Sequence, residues 1–241
     1  MLRPFRLAAV LLLPWLACVS IVHAGPLQDA EQRLAEGDTD AAFAAIEQLA
    51  VAGDPEAQNR LAQLHAGGIG TPRDLAEAAK WYRRAADGGL ADAQFALGVL
   101  RSTGNGVARD DGLAVDWYVA AAKQGHVDAQ YNLGYMYASG RGVDQDLGRA
   151  RTWYKLAADQ GHVRAQINLG AMYASGDGVR RDDAIAASWY RRAAERGDAD
   201  AQYSLGYLHE FGRGVANDRG EALRWYRAAA AQGHIEAGHR L

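Results

Sequence analysis

The sequence predicts an all-α fold, a solenoid of antiparallel helix pairs. Three observations predict it. A tryptophan-tyrosine pair returns every 36 residues, as Trp81-Tyr82, Trp117-Tyr118, Trp153-Tyr154, Trp189-Tyr190 and Trp225-Tyr226. Alanine keeps the same beat at Ala57, Ala93, Ala129, Ala165, Ala201 and Ala237. Glycine recurs in register at Gly98, Gly134, Gly170 and Gly206, and again at Gly104, Gly140, Gly176 and Gly212. A fixed period of this length means one helical unit copied and stacked along an axis, each unit packing on its neighbours.

In chain order, the first residues read as a secretory leader. Arg3 and Arg6 give a positive start, residues 7–17 an apolar run, and Val22-His23-Ala24 before Gly25 a small-residue cleavage site. The run falls short of the about 20 residues that span a bilayer, so cleavage after Ala24 and export to the periplasm or medium is preferred over a retained anchor helix. Lipoprotein processing at Cys18 is the alternative, and Trp15 fits that motif poorly. Cleavage leaves a chain with no cysteine and therefore no disulfide. Loss of Arg3 and Arg6 makes the formal charge of −3 more negative still. With no basic block, the chain is a poor fit to nucleic acid, which needs a concentrated positive footprint.

Residues 25–54 read as a degenerate pair of capping helices. Ala42, Ala45 and Leu49 stand one period before Ala78, Trp81 and Ala85, predicting a helix over about 40–52, with an earlier one near 28–35. Asp54-Pro55 then opens the first full unit as N-cap and first helical residue. Within one unit, Ala129, Leu133, Met136 and Tyr137 fall on one helical stripe and define helix A. Gly134 lies mid-helix, where glycine costs about 1 kcal/mol against alanine, which predicts close approach of the next helix. Gly140-Arg141-Gly142-Val143 supplies two positions tolerant of positive φ, and Asp146 is placed to cap helix B. Ala150, Trp153, Tyr154, Ala157 and Ala158 form the stripe of helix B, which ends at Gly161 as its copies end at Gly125, Gly197 and Gly233. Residues 235–241 read as the start of a sixth helix A, which must dock on the fifth unit or fray.

The spacing Ala129, Leu133-Gly134, Tyr137, Gly140, Gly142-Val143, Asp146, Ala150, Trp153-Tyr154, Ala157-Ala158 and Gly161 resembles the Sel1-like repeat, a relative of the tetratricopeptide repeat. The resemblance covers five full units, residues 55–90, 91–126, 127–162, 163–198 and 199–234. Departures are local: His65, Arg101 and His209 stand in the helix A tyrosine column, Thr71 in the valine column and Ala62 in the glycine column. It implies a right-handed α-solenoid whose A helices line a concave groove. It also implies a non-enzymatic adaptor class, with relatives acting in polysaccharide export, restraining sensor kinases or partnering cell-wall enzymes. Cysteine-rich relatives that bind or hydrolyse β-lactams supply the alternative function, although the regular cysteine pair of those repeats is missing here.

Nothing in the residues assembles a catalytic centre. There is no Gly-x-Ser-x-Gly elbow, and no lysine has a serine three residues before it. His126, His162 and His234 recur in register, but stacked helices lie roughly 8–10 Å apart whereas zinc ligands converge within about 2 Å of one ion. They read as surface loop histidines that help terminate helix B. His65 and His209 read as packed or half-buried. Asp177-Gly178 with Asp182 and Asp183 lacks the alternating oxygen ligands of a calcium loop. Neither cofactor nor metal is expected.

The constant Trp-Tyr column reads as packing, because a partner is not itself a repeat and residues that bind it should differ between units. The varying face of helix A is the better candidate. Its columns hold Glu56, Asn59, Arg60 and Gln63; Asp92, Phe95 and Val99; Asp128, Tyr131, Asn132 and Tyr135; Arg164, Ile167, Asn168 and Ala171; then Asp200, Tyr203, Ser204 and Tyr207. Aromatic rings offer rigid contact area, and asparagines donate to and accept from a peptide backbone. Packing of these tyrosines between units is the competing reading. Self-association through the C-terminal repeat edge is a further expectation.

Overall fold

The computed structural model describes residues 25–241, so the leader, Cys18 and the Ala24 cleavage site lie outside the described residues. Thirteen helices and no strand occur among the described residues. Helices α1 (Pro26–Glu36) and α2 (Thr39–Val51) precede the array. Five A helices follow, α3 (Pro55–Gly67), α5 (Ala91–Thr103), α7 (Val127–Ser139), α9 (Val163–Ser175) and α11 (Ala199–Phe211). They alternate with five B helices, α4 (Leu75–Asp87), α6 (Asp111–Lys123), α8 (Leu147–Asp159), α10 (Asp183–Ala194) and α12 (Arg219–Ala230). The last helix is α13 (Ile235–Gly238). Each helix packs chiefly on the one before and the one after it, which makes the molecule an α-solenoid.

Local chemistry sets the helix ends. The Asp146 carboxylate accepts the Arg149 N–H at 2.8 Å, and Asp74, Asp110, Asp182 and Asp218 cap the other B helices in the same way. Gly140 and Gly142 take φ of 69° and 73°, so the connector turns on two left-handed residues. A side chain at Gly142 would collide with the Asp111 backbone, because each connector lies across the start of the previous repeat's B helix.

The constant columns interlock inside each repeat. A methyl group at Gly134 would come within 2.6 Å of the Tyr154 ring, and Gly98, Gly170 and Gly206 meet Tyr118, Tyr190 and Tyr226 likewise. The helical glycines are therefore sockets for tyrosine. Tyr82, Tyr118, Tyr154, Tyr190 and Tyr226 are all buried. Of the tryptophans, Trp81, Trp189 and Trp225 are buried while Trp117 and Trp153 are half-buried. Arg84, Arg192 and Arg224 lay their guanidinium groups over the rings of Trp81, Trp189 and Trp225 at 4.3–4.8 Å.

A polar ladder runs through the same core. Gln58, Gln94, Gln130, Gln166 and Gln202 are buried, and each donates its Nε2 to a carbonyl near the end of the preceding helix, α2 for Gln58 and a B helix for the others. Gln124, Gln160 and Gln232 then donate to the Oε1 of Gln94, Gln130 and Gln202 at 2.8–2.9 Å. In the fourth repeat Arg196 replaces that second glutamine and bonds the Gly161 carbonyl instead, leaving Gln166 Oε1 buried and without a donor. At the C-terminal end, α13 is a four-residue helix that docks through buried Ala237 against Ala222, Tyr226 and Ala229.

Candidate partner-binding face

The expected face divides into two kinds of residue. Glu56, Asp92, Asp128, Arg164 and Asp200 are exposed, as are Gln63, Tyr135 and Ala171. Asn59, Arg60, Phe95, Val99, Tyr131, Asn132, Ile167, Asn168, Tyr203, Ser204 and Tyr207 are half-buried. Arg60 bonds Gln63 at 2.9 Å and pairs with Glu31 at 3.5 Å, so the first repeat's polar group is tied to α1.

Three of the aromatic residues are joints between repeats. Phe95, Tyr131 and Tyr203 stack on His126, His162 and His234, the last residue of each repeat and the N-cap of the helix that follows, with ring centroids 4.4–4.6 Å apart. Those histidines do help to close helix B, since the backbone N–H of each bonds the Ala121, Ala157 or Ala229 carbonyl at 3.0–3.2 Å, but their rings are largely covered and not loose on the surface. Each begins the next A helix, its Nδ1 accepting the N–H of Ala129, Ala165 or Ala237 at 3.1–3.2 Å. With Nδ1 an acceptor, the proton sits on Nε2, which faces Asp92, Asp128 or Asp200 at 3.4–3.5 Å. Burial pushes the His162 pKa down, which favours this neutral form. The joint was legible as covariation: where the aromatic becomes Ile167 or Asn59, the next cap is Asp198 or Leu90 instead of histidine.

The second polar column is also occupied. The buried Tyr118, Tyr154 and Tyr190 hydroxyls face Asn132, Asn168 and Ser204 of the following repeat, and burial raises the pKa of all three phenols. Tyr118 also meets Ser102 at 3.2 Å, and Tyr226 donates to Glu210 at 2.6 Å. Besides the charged column at the helix starts, what remains outward-facing is Tyr135, with 48% of its surface exposed, next to Ala171 and in the same column as exposed Gln63.

Two junctions carry an ionic clasp. Arg141 of the third repeat reaches back to the Ser102 carbonyl and to Asp111, 2.6 Å away, while Arg109 holds the other oxygen at 2.7 Å. Arg213 of the fifth repeat grips Asp183 through two bonds of 2.9 and 3.1 Å, supported by Arg181. These hydrogen bonds hold both carboxyl groups well below the usual range, Arg141 being the main cause for Asp111 and Arg181 for Asp183. At the intervening junction the matching residues are Leu147 and Asp177, and a cleft of about 380 Å³ opens there. Its walls are Tyr135, Ala138 and Ser139 of α7, Leu147 and Tyr154 of α8, Asn168, Ala171 and Met172 of α9, and Asp177.

The repeats have known counterparts. The family model of the Sel1 repeat matches residues 55–90, 91–126, 127–162, 163–198 and 199–234. No curated protein matches the chain. Among solved structures, the protective antigen c5321 of uropathogenic Escherichia coli, with an SLR fold, is 35% identical with a TM-score of 0.82 over 88% of this chain and 50% of that one. The chain thus spans half the length of that protein. A Sel1 repeat protein from Oxalobacter formigenes is 32% identical with a TM-score of 0.79, over 89% of this chain and 85% of that one. An immunity protein from Pseudomonas aeruginosa, 18% identical with a TM-score of 0.51 over 90% of this chain and 83% of that one, shares the fold alone. Repeats of this kind are commonly scaffolds for protein interaction and typically non-enzymatic, and no helix among the described residues is long and apolar enough to cross a membrane. Five matched units, a continuous run of helix pairs and two solved relatives above 30% identity place this chain in the Sel1 repeat family.

Proposed function

We propose that the protein is an exported, non-enzymatic scaffold that holds a peptide or protein partner on the face formed by its A helices, in an envelope, cell-wall or signalling assembly. One observation carries this reading. The constant columns are consumed inside the array, while the A-helix face presents exposed Tyr135 beside a cleft at the junction where Leu147 and Asp177 stand in place of the aspartate and arginine of the junctions on either side. A partner with no internal repeat needs such non-equivalent positions. The β-lactam alternative rests on cysteine-rich relatives and gains no support from the residues around this cleft.

Export rests on the leader sequence, and the description of the similar Escherichia coli protein as a protective antigen is in keeping with it. Intact mass of the protein from its native host tests this directly: a chain beginning at Gly25 supports cleavage, and a lipid-bearing chain beginning at Cys18 replaces it with an anchor. The partner reading is tested by placing a photo-reactive benzoylphenylalanine at position 135 and, separately, at exposed Leu113 of α6. Cross-linked adducts are expected from position 135 alone. Equal adducts from both positions, or none from 135, would sink the assignment. Self-association through exposed Phe211, Ile235 and Leu241 is the competing use of apolar surface, and it predicts a mass that grows with concentration in light scattering.

A further inference from the structure

The cleft between the third and fourth repeats has the outline of a side chain that the chain supplies to itself elsewhere. Arg141 lies among Ser102, Asp111, Tyr118 and Tyr135. Arg213 lies against Asp183 and Tyr207, beside Tyr190. One period after the neighbours of Arg141 come Ala138, Leu147, Tyr154 and Ala171, and all four line the cleft. The residue equivalent to the two arginines is Asp177, whose carboxylate accepts from Ser175 Oγ at 2.7 Å at the rim. The pair has been inverted. An apolar Leu147 stands where the clasp has its carboxylate, and a carboxylate stands where the clasp has its arginine.

Resting on the partner reading above, we propose that this cleft receives an arginine side chain from the bound partner, with Asp177 as its counter-ion. The aliphatic stem lies along Leu147, Ala171 and Met172. The guanidinium plane faces the exposed Tyr135 ring, and its donors reach the Asp177 carboxylate and the Asn168 side-chain oxygen. Arginine fits better than lysine because a planar, weakly hydrated fork both stacks on a ring and donates in several directions. Charge favours the same occupant, since Asp177 is the one charged residue among those lining the cleft, on a chain of formal charge −3.

The experiment titrates acetyl-Ala-Ala-Arg-Ala-Ala-amide into the isotope-labelled protein and follows amide signals by NMR, with the central arginine replaced by leucine or glutamate as controls. Signals of Tyr135, Asn168 and Asp177 are expected to move with the arginine peptide, with about fivefold weaker binding for the leucine peptide, the scale of one ion pair at a surface site. Asp177→Arg, which restores the residue of the neighbouring repeats, should abolish the shifts. Ala171→Tyr, which restores the tyrosine found on either side, should do the same by filling the space. Tighter binding of the leucine peptide, or shifts that survive Asp177→Arg, overturns the arginine assignment. Adducts from position 135 without any response to the arginine peptide leave the partner reading standing and remove this one. Arginine-peptide binding without adducts removes the partner reading while the cleft's chemistry holds.

Discussion

A buried acceptor without a donor marks the fourth repeat. Gln166 Oε1 lacks the bond that Gln94, Gln130 and Gln202 receive, because Arg196 stands where those repeats have glutamine. Arg196→Gln should complete the ladder and raise stability by on the order of 1 kcal/mol, since an unsatisfied buried polar atom costs about 1–3 kcal/mol. Urea unfolding at neutral pH checks it, and a lowered midpoint would show that Arg196 contributes more through Gly161 than the ladder gains. The glutamine column was legible as a polar residue kept on the buried stripe in every unit, but apolar periodicity alone does not reveal it, because a glutamine beside the constant alanine reads as solvent-facing until its carbonyl partner is known. The histidines were legible too, but only by reading Phe95, Tyr131 and Tyr203 together with the residue that caps the next helix. Their role depends on a contact between units, which the pattern of one helix does not contain.

Helix ends and turns were the most legible elements, because their physics is local. Asp146 caps α8 and Gly140 and Gly142 are left-handed for reasons that lie within a few residues of each. The mid-helix glycine also predicted close packing, and its partner proves to be the Tyr154 ring. Gly134→Ala should therefore destabilise: overpacking costs about 1–3 kcal/mol, against the about 1 kcal/mol that alanine gains in helix propensity. The net loss is kept small by the precedent of Ala62, which faces the ring column in the first repeat with Tyr82 still buried. Thermal unfolding of Gly134→Ala beside Gly148→Ala, where only the capping Asp146 carboxylate comes near, separates ring contact from propensity. A gain at both positions would mean that the tyrosine socket has slack.

At the scale of the whole molecule, the array was fully legible and the outward part of the candidate face was not. Thirty-six-residue register fixes which helix follows which, but whether Tyr131 or Tyr135 points to solvent depends on the junction with the next repeat, where the N-cap His162 claims the first ring and Ala171 leaves the second free. Stability here is a sum over units and junctions, and the junctions are of two kinds. Asp111 with Arg141 and Asp183 with Arg213 are clasped; Leu75 with Asn105 and Leu147 with Asp177 are not. The pattern returns after two repeats, which makes the pair the unit that can be inherited or lost. Deleting residues 127–162 would bring Asp111 against Asp177, two carboxylates at one joint. Deleting residues 127–198 would bring Asp111 against Arg213 and rebuild the clasp. The shorter excision should therefore leave the less stable protein, although it removes fewer residues, and comparison of the two unfolding midpoints tells them apart. A gene for such an array would be expected to grow and shrink by pairs, with odd-numbered losses selected against at the clasped joints.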